Sequence, residues 1–226
     1  QFRGTRRRNC TLAQPVPHGH TRLKLVLANV LFGNRSVDAL AKLIAQETPD
    51  LVALRSFAAS LALRDAFVAL TGLPQAFTLK WPNDVLLNGG KVAGILLESA
   101  SSGQGMDLAV GIGVNLIGAP PAQLVEAGAL VPVSLLAETG LRVTPEAFLD
   151  QLAVAFDRWE GIFVSQGFAP LRAEWLAHAA RLGEVIRART GDLTREGVFE
   201  TVDGKGNLIL RMATGIVAIP AAEVFF

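Results

Sequence analysis

The chain has 226 residues, enough for one large domain with an appendage or for two modest domains. Half of the residues are apolar and only 18% are charged, which opposes global disorder and favours a densely packed α/β or α+β protein. A net charge of +1 gives no whole-molecule attraction to nucleic acid or an anionic membrane, so any anion site must be local. Cys10 is the only cysteine, which excludes an intramolecular disulfide and a cysteine-based zinc cluster and predicts a cytoplasmic location.

The first 54 residues predict an irregular arm followed by a compact β-α-β unit. Residues 1–21 are basic, then polar and proline-bearing, without the periodicity of a strand or a helix. An arginine run ahead of the apolar stretch 23–32 could suggest export, but that stretch is too short to cross a bilayer, so no membrane partner is expected. A strand is predicted at 23–29, a helix at 36–46 and a second strand at 50–54.

The middle of the chain predicts a helix packed against antiparallel strands. Apolar residues at helical spacing indicate a largely buried helix over 56–70. Asn88, Gly89 and Gly90 predict a tight turn between the second and third of four short strands, which suggests that the strands are antiparallel neighbours. The four strands are predicted at 77–79, 85–87, 92–98 and 108–114.

The last third of the chain predicts two helices and then a small β-domain. Thr144 followed by Pro145 is typical of a helix start, and apolar residues continue one face of an amphipathic helix as far as Phe163. A second helix is predicted over 171–181. After Gly183, short alternating segments separated by glycine-containing turns predict a small β-barrel.

Three short segments place chemistry-bearing residues near the ends of the predicted strands. They are KWPNDVLLN at 80–88, KVAGILLE at 91–98 and GIGVN at 111–115. Their glycines weaken a sheet unless a flat ligand or another backbone comes close. Lys91 offers a cation for a carboxylate or phosphate, and Asp84 can orient that ammonium or hold a divalent metal. Taken singly, these residue types are more often found in turns, cores and solvated surfaces than in functional sites.

In this order and spacing, K-W-P-N-D-V, K-x-x-G-I-L and G-x-G-x-N resemble the signature of the biotin protein ligases. The tail GVFETVDGKGNLILRMATGIVAIPAAEVFF resembles the SH3-like C-terminal domain of the same family. The resemblance implies an α+β fold with a mixed, mainly antiparallel sheet, packed helices and a small C-terminal SH3-like β-barrel. It covers residues 55–226 and divides the chain into an atypical segment 1–54, a catalytic core 55–182 and a C-terminal domain 183–226.

The resemblance also implies a two-step ligation. The biotin carboxylate attacks the α-phosphorus of Mg-ATP, giving biotinyl-adenylate and pyrophosphate, and a lysine of a biotin carboxyl carrier protein then displaces AMP. Position by position, Lys91 and Asp84 are implied to be catalytic, with Mg²⁺ near Asp84. The residues implied to bind biotin are Trp81, Lys91, Gly94 and Asn115, and those implied to bind ATP are Asn83, Asp84, Gly111 and Gly113.

Upstream of residue 55 the sequence departs from that family. The family's Ser/Thr-Thr/Ser-Asn strand end and its G-R-G-R-R-G loop, which closes over biotin and the adenylate, are not intact here. The residues that echo the loop are Gln1, Gly4, Arg7 and Arg8, and the alternative is a basic irregular arm.

Residues 22–54 instead resemble the first β-α-β unit of the endonuclease/exonuclease/phosphatase family. Asn29 would stand at the metal-site asparagine of that family. Arg55 and Ser56, however, replace the Gln-Glu pair whose carboxylate should bind magnesium. Phosphodiester chemistry needs that metal, so nuclease activity is not expected.

The first hypothesis is therefore a biotin protein ligase whose altered N-terminal part lowers its activity. A relative that transfers lipoate or octanoate shares the fold, but KWPND together with the SH3-like tail favours biotin. The alternative from another class is a non-catalytic binding module that keeps half of the pocket. No helix-turn-helix pattern precedes the ligase-like part, so a nucleic-acid partner is not expected, and a homodimer is left open.

Overall fold

The computed structural model describes residues 22–27, 49–102, 105–121, 123, 125–126 and 128–226. The predicted helix at 36–46 lies outside these ranges, and so do Gln1, Gly4, Arg7, Arg8 and Asn29. The helices are α1 Pro49–Thr71, α2 Leu135–Thr139, α3 Pro145–Gln166 and α4 Phe168–Ala177. The strands are β1 Arg22–Leu27, β2 Phe77–Lys80, β3 Asp84–Leu87, β4 Gly90–Ser102, β5 Gly105–Val114, β6 Val185–Thr190, β7 Leu193–Val202, β8 Leu208–Met212, β9 Gly215–Ile219 and β10 Glu223–Phe225.

The first five strands form one sheet in the order β1-β5-β4-β3-β2. β1 pairs with β5 in parallel, and the other pairs are antiparallel, which confirms the predicted mixed, mainly antiparallel sheet. The predicted turn between β3 and β4 is also confirmed. Asn88 and Gly89 both have positive φ, at 50° and 84°, as the two central residues of a tight hairpin turn require.

Helix α1 corrects the prediction for residues 50–54, which are helical and not a strand. The helix begins with Pro49, whose fixed φ suits a first helical position, and it continues without a break through the predicted helix 56–70. A short apolar run fits a buried strand and a buried helix equally well, so periodicity alone could not decide. The β-α-β unit attributed to residues 22–54 is therefore wrong in its last element.

The core lies where α1 packs between the sheet and helices α3 and α4. Phe67 stacks on Phe77 of β2 at 4.9 Å between ring centroids and meets Phe148 of α3 at 4.8 Å. Phe57 contacts Trp175 of α4 edge-on at 5.1 Å. These rings are almost fully buried, and they fix α1 against the first sheet.

The local sequence predicts where α3 starts but not where α4 ends. Thr144 caps α3 by accepting a hydrogen bond from the backbone N–H of Ala147, which confirms the predicted start. Helix α4 ends at Ala177, four residues before the predicted end. The chain leaves the helix because the His178 carbonyl and the Ala180 N–H pair with the backbone of Leu79 at the edge of β2.

The remaining strands form a second, antiparallel sheet in the order β10-β6-β7-β8-β9. Its buried face includes Ile186, Phe199, Leu208 and Leu210. Its strand pairings do not join β9 to β10, so closure into an SH3-like barrel stays a prediction. None of the helices in the described part combines the length and apolar character needed to span a bilayer.

Candidate functional site

A carboxylate held between two ammonium groups forms the centre of the site. Asp84 begins β3 directly opposite Lys80, the last residue of β2, and its Oδ2 lies 3.2 Å from the Lys80 Nζ. Its Oδ1 lies 2.6 Å from the Lys91 Nζ. The side chains of Asp84 and Lys80 are 9% and 10% exposed, whereas that of Lys91 is 42% exposed. The cluster carries one surplus positive charge, and Lys91 is the member that an anionic ligand can reach.

Glycines form a low floor beside this cluster. Asp84, Gly94 and Gly113 are direct partners across β3, β4 and β5, and Gly111 is paired with Leu96 one step further along the same face. We call Gly94, Gly111 and Gly113 the glycine floor. A Cβ atom at Gly94 would lie 3.2 Å from the Lys91 Nζ and 3.3 Å from the Asp84 Oδ1. Any side chain there would crowd the ion pair, so the floor must stay low for the cluster to keep its geometry.

Two asparagines hold the backbone on either side of the floor. The Asn83 Nδ2 donates to the Ile95 carbonyl at 2.6 Å, and the Ile95 N–H donates back to the Asn83 carbonyl at 2.9 Å. The Asn115 Nδ2 donates to the carbonyls of Val133 at 3.0 Å and Lys91 at 3.4 Å. Asn115 therefore joins the end of β5 to the start of β4 and to the segment ahead of α2.

Trp81 occupies the turn between β2 and β3 and is only 3% exposed. Its indole Nε1–H donates to the carbonyl of Gly206, 3.0 Å away in the turn between β7 and β8. This side chain therefore connects the site-bearing turn to the C-terminal sheet. The biotin contact implied for Trp81 stays a prediction.

A cavity of about 240 Å³ opens next to the lysine–aspartate cluster. The rest of its lining comes from residues 125–126, 129–130 and 132 and from the C-terminal strand β10. Arg189 of β6 joins these two parts, because its guanidinium bonds both Glu126 and Glu223. The hydrogen bonds with these two carboxylates raise the pKa of Arg189, and the bond from Arg189 lowers the pKa of Glu126. The cavity is thus lined by the Lys80–Asp84–Lys91 cluster and by the Glu126 and Glu223 carboxylates, both of which bond Arg189.

The structure brings together most of the residues implied by the sequence. Lys91, Asp84, Gly94 and Gly113 meet at one point of the sheet, with Asn83 and Asn115 on either side of β4. Sequence reasoning gave no role to Lys80, although the three-residue turn of a hairpin after it would have placed Asp84 opposite. It also missed Arg189 and Glu223, because nothing local signals that the C-terminal strand reaches this cavity. In the described part of the chain, no three His, Cys, Asp or Glu residues group as a metal site.

Comparison with known proteins assigns the family. Residues 35–115 match the model of the biotin/lipoate A/B protein ligase family, and residues 182–226 match the biotin protein ligase C-terminal domain. The chain is 60% identical to the biotin–[acetyl-CoA-carboxylase] ligase of Paracoccus denitrificans over 172 residues, which are 76% of this chain and 72% of that protein. The chain belongs to the biotin/lipoate A/B protein ligase family.

Other members of the family are more distant. The bifunctional ligase/repressor BirA of Bacillus subtilis is 29% identical over 79% of this chain, which spans about half of that protein's length (53%). The solved structure of biotin protein ligase from Aquifex aeolicus is 23% identical, with a TM-score of 0.64 over 76% of this chain and 74% of the other. A biotin protein ligase-like protein of unknown function from Silicibacter is 19% identical, with a TM-score of 0.63 over 88% and 94%. These structures establish the fold. The sequence match to the family model begins at residue 35, which is upstream of the resemblance noted for residues 55–226.

Proposed function

We propose that the chain is a biotin protein ligase, which forms biotinyl-5′-AMP from biotin and ATP and transfers biotin to a lysine of a biotin carboxyl carrier protein. The observation that carries the proposal is the Lys80–Asp84–Lys91 cluster beside the glycine floor. The 60% identity to the Paracoccus biotin ligase supports biotin over lipoate or octanoate. The reaction belongs in the cytoplasm, where ATP and carrier proteins occur together.

In the first step two anions must meet. A biotin carboxylate oxygen forms a bond to the α-phosphorus while the bond to the bridging oxygen breaks, and pyrophosphate leaves with that electron pair. Lys91 is the exposed cation of the cluster, so it can bind the carboxylate and then the oxygens of the α-phosphoryl group. Its charge is most useful where negative charge gathers in the transition state.

Asp84 keeps that cation in position. Its buried carboxylate contacts the Lys91 Nζ at 2.6 Å and is itself balanced by Lys80. Mg²⁺ would arrive bound to the ATP phosphates near Asp84, because both oxygens of this buried carboxylate are already paired with lysines. Mg²⁺ would supply additional charge neutralisation at the phosphates.

In the second step the carrier lysine attacks as a neutral amine. Its nitrogen bonds to the acyl carbon of biotinyl-adenylate, the bond to the phosphate oxygen breaks, AMP leaves, and the amine loses a proton. The surplus positive charge of the Lys80–Asp84–Lys91 cluster disfavours another ammonium nearby, so it lowers the pKa of the incoming amine. The same cluster can thus assist both steps.

The upstream loop and the glycine positions complete the proposal. We assign Gln1, Gly4, Arg7 and Arg8 to the loop over the adenylate, Gly94 and Asn115 to the biotin side, and Asn83, Gly111 and Gly113 to the ATP side. These residues follow the family pattern, and Gly94, Gly111, Gly113, Asn83 and Asn115 lie around the cluster just described.

The test is biotin transfer to an isolated carrier domain with ATP and Mg²⁺. An active ligase gives an acceptor that is heavier by one biotinyl group, and excess lipoate should not compete. A non-catalytic module would give no product and would bind biotin no more tightly with ATP present, which calorimetry measures. Faster transfer of lipoate than of biotin would reject biotin as the substrate.

A further inference from the structure

The turn between β2 and β3, which carries Asn83 just ahead of Asp84, contacts a turn of the C-terminal sheet. β2 ends at Lys80 and β3 begins at Asp84, so residues 81–83 form the tip of a hairpin. Trp81 at this tip donates its Nε1–H to the Gly206 carbonyl in the turn between β7 and β8. The two residues are 125 positions apart in the chain, and both are buried. The two domains therefore meet two residues from Asn83 and three from Asp84.

Hydrogen bonds within the β7–β8 turn hold the Gly206 carbonyl in place. The Asp203 Oδ1 accepts hydrogen bonds from the N–H groups of Lys205 and Asn207 at 2.8 and 2.9 Å, and its Oδ2 accepts one from the Asn207 side chain at 2.8 Å. Gly206 has a φ of 86°, which a side chain would strain. These features fix the direction of the Gly206 carbonyl.

Helix α1 braces both turns from one side. A Cβ atom at Gly206 would lie 3.3 Å from the Leu54 Cδ2 and 3.4 Å from the Phe57 Cε2, so the turn packs closely on α1. The Ser56 hydroxyl, from the same helix, donates to the Pro82 carbonyl at 3.5 Å. The contact between the turns is thus a fixed part of the fold.

The biotin side of the floor does not depend on this contact. Gly94 is held by the register of β4 and β5, and Asn115 is held by the carbonyls of Lys91 and Val133. Asn83, by contrast, belongs to the tip itself, and Asp84 follows it directly. Loosening the tip should therefore displace the ATP side more than it displaces Gly94 and Asn115.

We propose that the turn Asp203–Asn207 is a positioning element of the catalytic site, acting through the Trp81–Gly206 hydrogen bond on Asn83 and Asp84. The inference rests on the proposed ligase function and adds a role for the C-terminal sheet within it. The turn itself touches no reacting atom; it fixes the backbone that presents the nucleotide-side residues.

The experiment compares Trp81→Phe and Asp203→Ala with two matched controls. Trp159→Phe removes another indole N–H bond, donated to the Asp65 carboxylate at 2.7 Å in the helical layer. Asp192→Ala removes an exposed aspartate from a different turn of the C-terminal sheet. Both test variants should lower kcat/KM for ATP about tenfold, since a buried carbonyl loses its donor or its orientation, and the controls should change it less than about twofold.

The proposal requires that the variants affect the use of ATP more than the binding of biotin. The Kd of biotin alone should change less than about twofold in Asp203→Ala, and Asp203→Asn should restore most of the ATP effect because its amide oxygen still accepts the two backbone bonds. Equal losses for ATP and for biotin, or an equal loss in Trp159→Phe, would overturn the proposal.

A second measurement separates this inference from the ligase function. Amide hydrogen exchange in the unmodified chain and in Asp203→Ala needs no activity, and the Ile95 N–H, bonded to the Asn83 carbonyl, should exchange faster in the variant. If the unmodified chain makes no adenylate, the ligase function fails while this readout still tests the contact. Unchanged exchange at Ile95 and at residues 83–84 would reject the coupling.

Discussion

At the scale of single residues, Lys91 has the clearest expected role. Lys91→Ala removes the exposed cation but leaves Asp84 paired with Lys80, so the fold should survive. Adenylate formation should slow about a hundredfold or more, the scale of losing one preorganised electrostatic group. Release of pyrophosphate in single-turnover experiments measures this step. Arg142→Ala, at an exposed position, is the control, and an unchanged adenylation rate in Lys91→Ala would refute the role.

Gly94 tests the shape of the floor at the same scale. A Cβ atom there already meets the Lys91 Nζ and the Asp84 Oδ1, so the branched side chain of Gly94→Val must displace the ion pair or fill the groove. Biotin binding measured by calorimetry should be abolished. Gly161→Val is the control, because a Cβ atom at that helical glycine meets nothing within 4 Å. Unaltered biotin affinity in Gly94→Val would show that the groove lies elsewhere.

At the scale of elements, the turn between β7 and β8 should make stability depend on pH. Burial alone would raise the pKa of Asp203, but hydrogen bonds from Asn207 and Lys205 outweigh it and hold the pKa below its ordinary value of 3.8. A carboxyl with a depressed pKa stabilises the fold above its unfolded pKa and loses that contribution as the pH falls through its folded pKa. The unfolding free-energy difference between the unmodified chain and Asp203→Asn should therefore be constant above about pH 5 and shrink below about pH 4. A difference that does not change with pH would contradict the assignment.

Local signals predicted the elements that local interactions decide. The Asn88–Gly89 turn and the Thr144 cap need only neighbouring residues, and both were predicted correctly. Residues 50–54 were predicted as a strand because a buried helix and a buried strand share an apolar run. The early end of α4 depends on Leu79, about a hundred residues upstream, which no local pattern contains. The contact of Trp81 with Gly206 and the place of β10 in the cavity wall were not predicted for the same reason, because both are set by tertiary packing.

At the scale of the whole molecule, a few buried or half-buried bonds join the C-terminal sheet to the rest. Trp81 meets Gly206, and Arg172 of α4 donates to the Val202 carbonyl and to the Thr201 hydroxyl, the latter at 3.1 Å. Because these bonds lie next to the aromatic core around Phe57, the sheet and the helices should unfold in one transition.

Arg172→Ala tests this coupling. The change removes the guanidinium donor from the carbonyl of the fully buried Val202, which keeps the 3.3 Å bond from the Thr201 hydroxyl, so the free energy of unfolding should fall by about 1–3 kcal/mol. Because the lost bonds lie between the two parts, their transitions should also begin to separate. Urea unfolding is followed by circular dichroism, which reports the whole chain, and by tryptophan fluorescence, to which Trp159 and Trp175 contribute from the helices and Trp81 from its contact with Gly206. In the control Arg142→Ala the two curves should stay coincident. Two results would show that the sheet is stabilised by other contacts: a similar loss of stability in that control, or coincident and unshifted curves in Arg172→Ala.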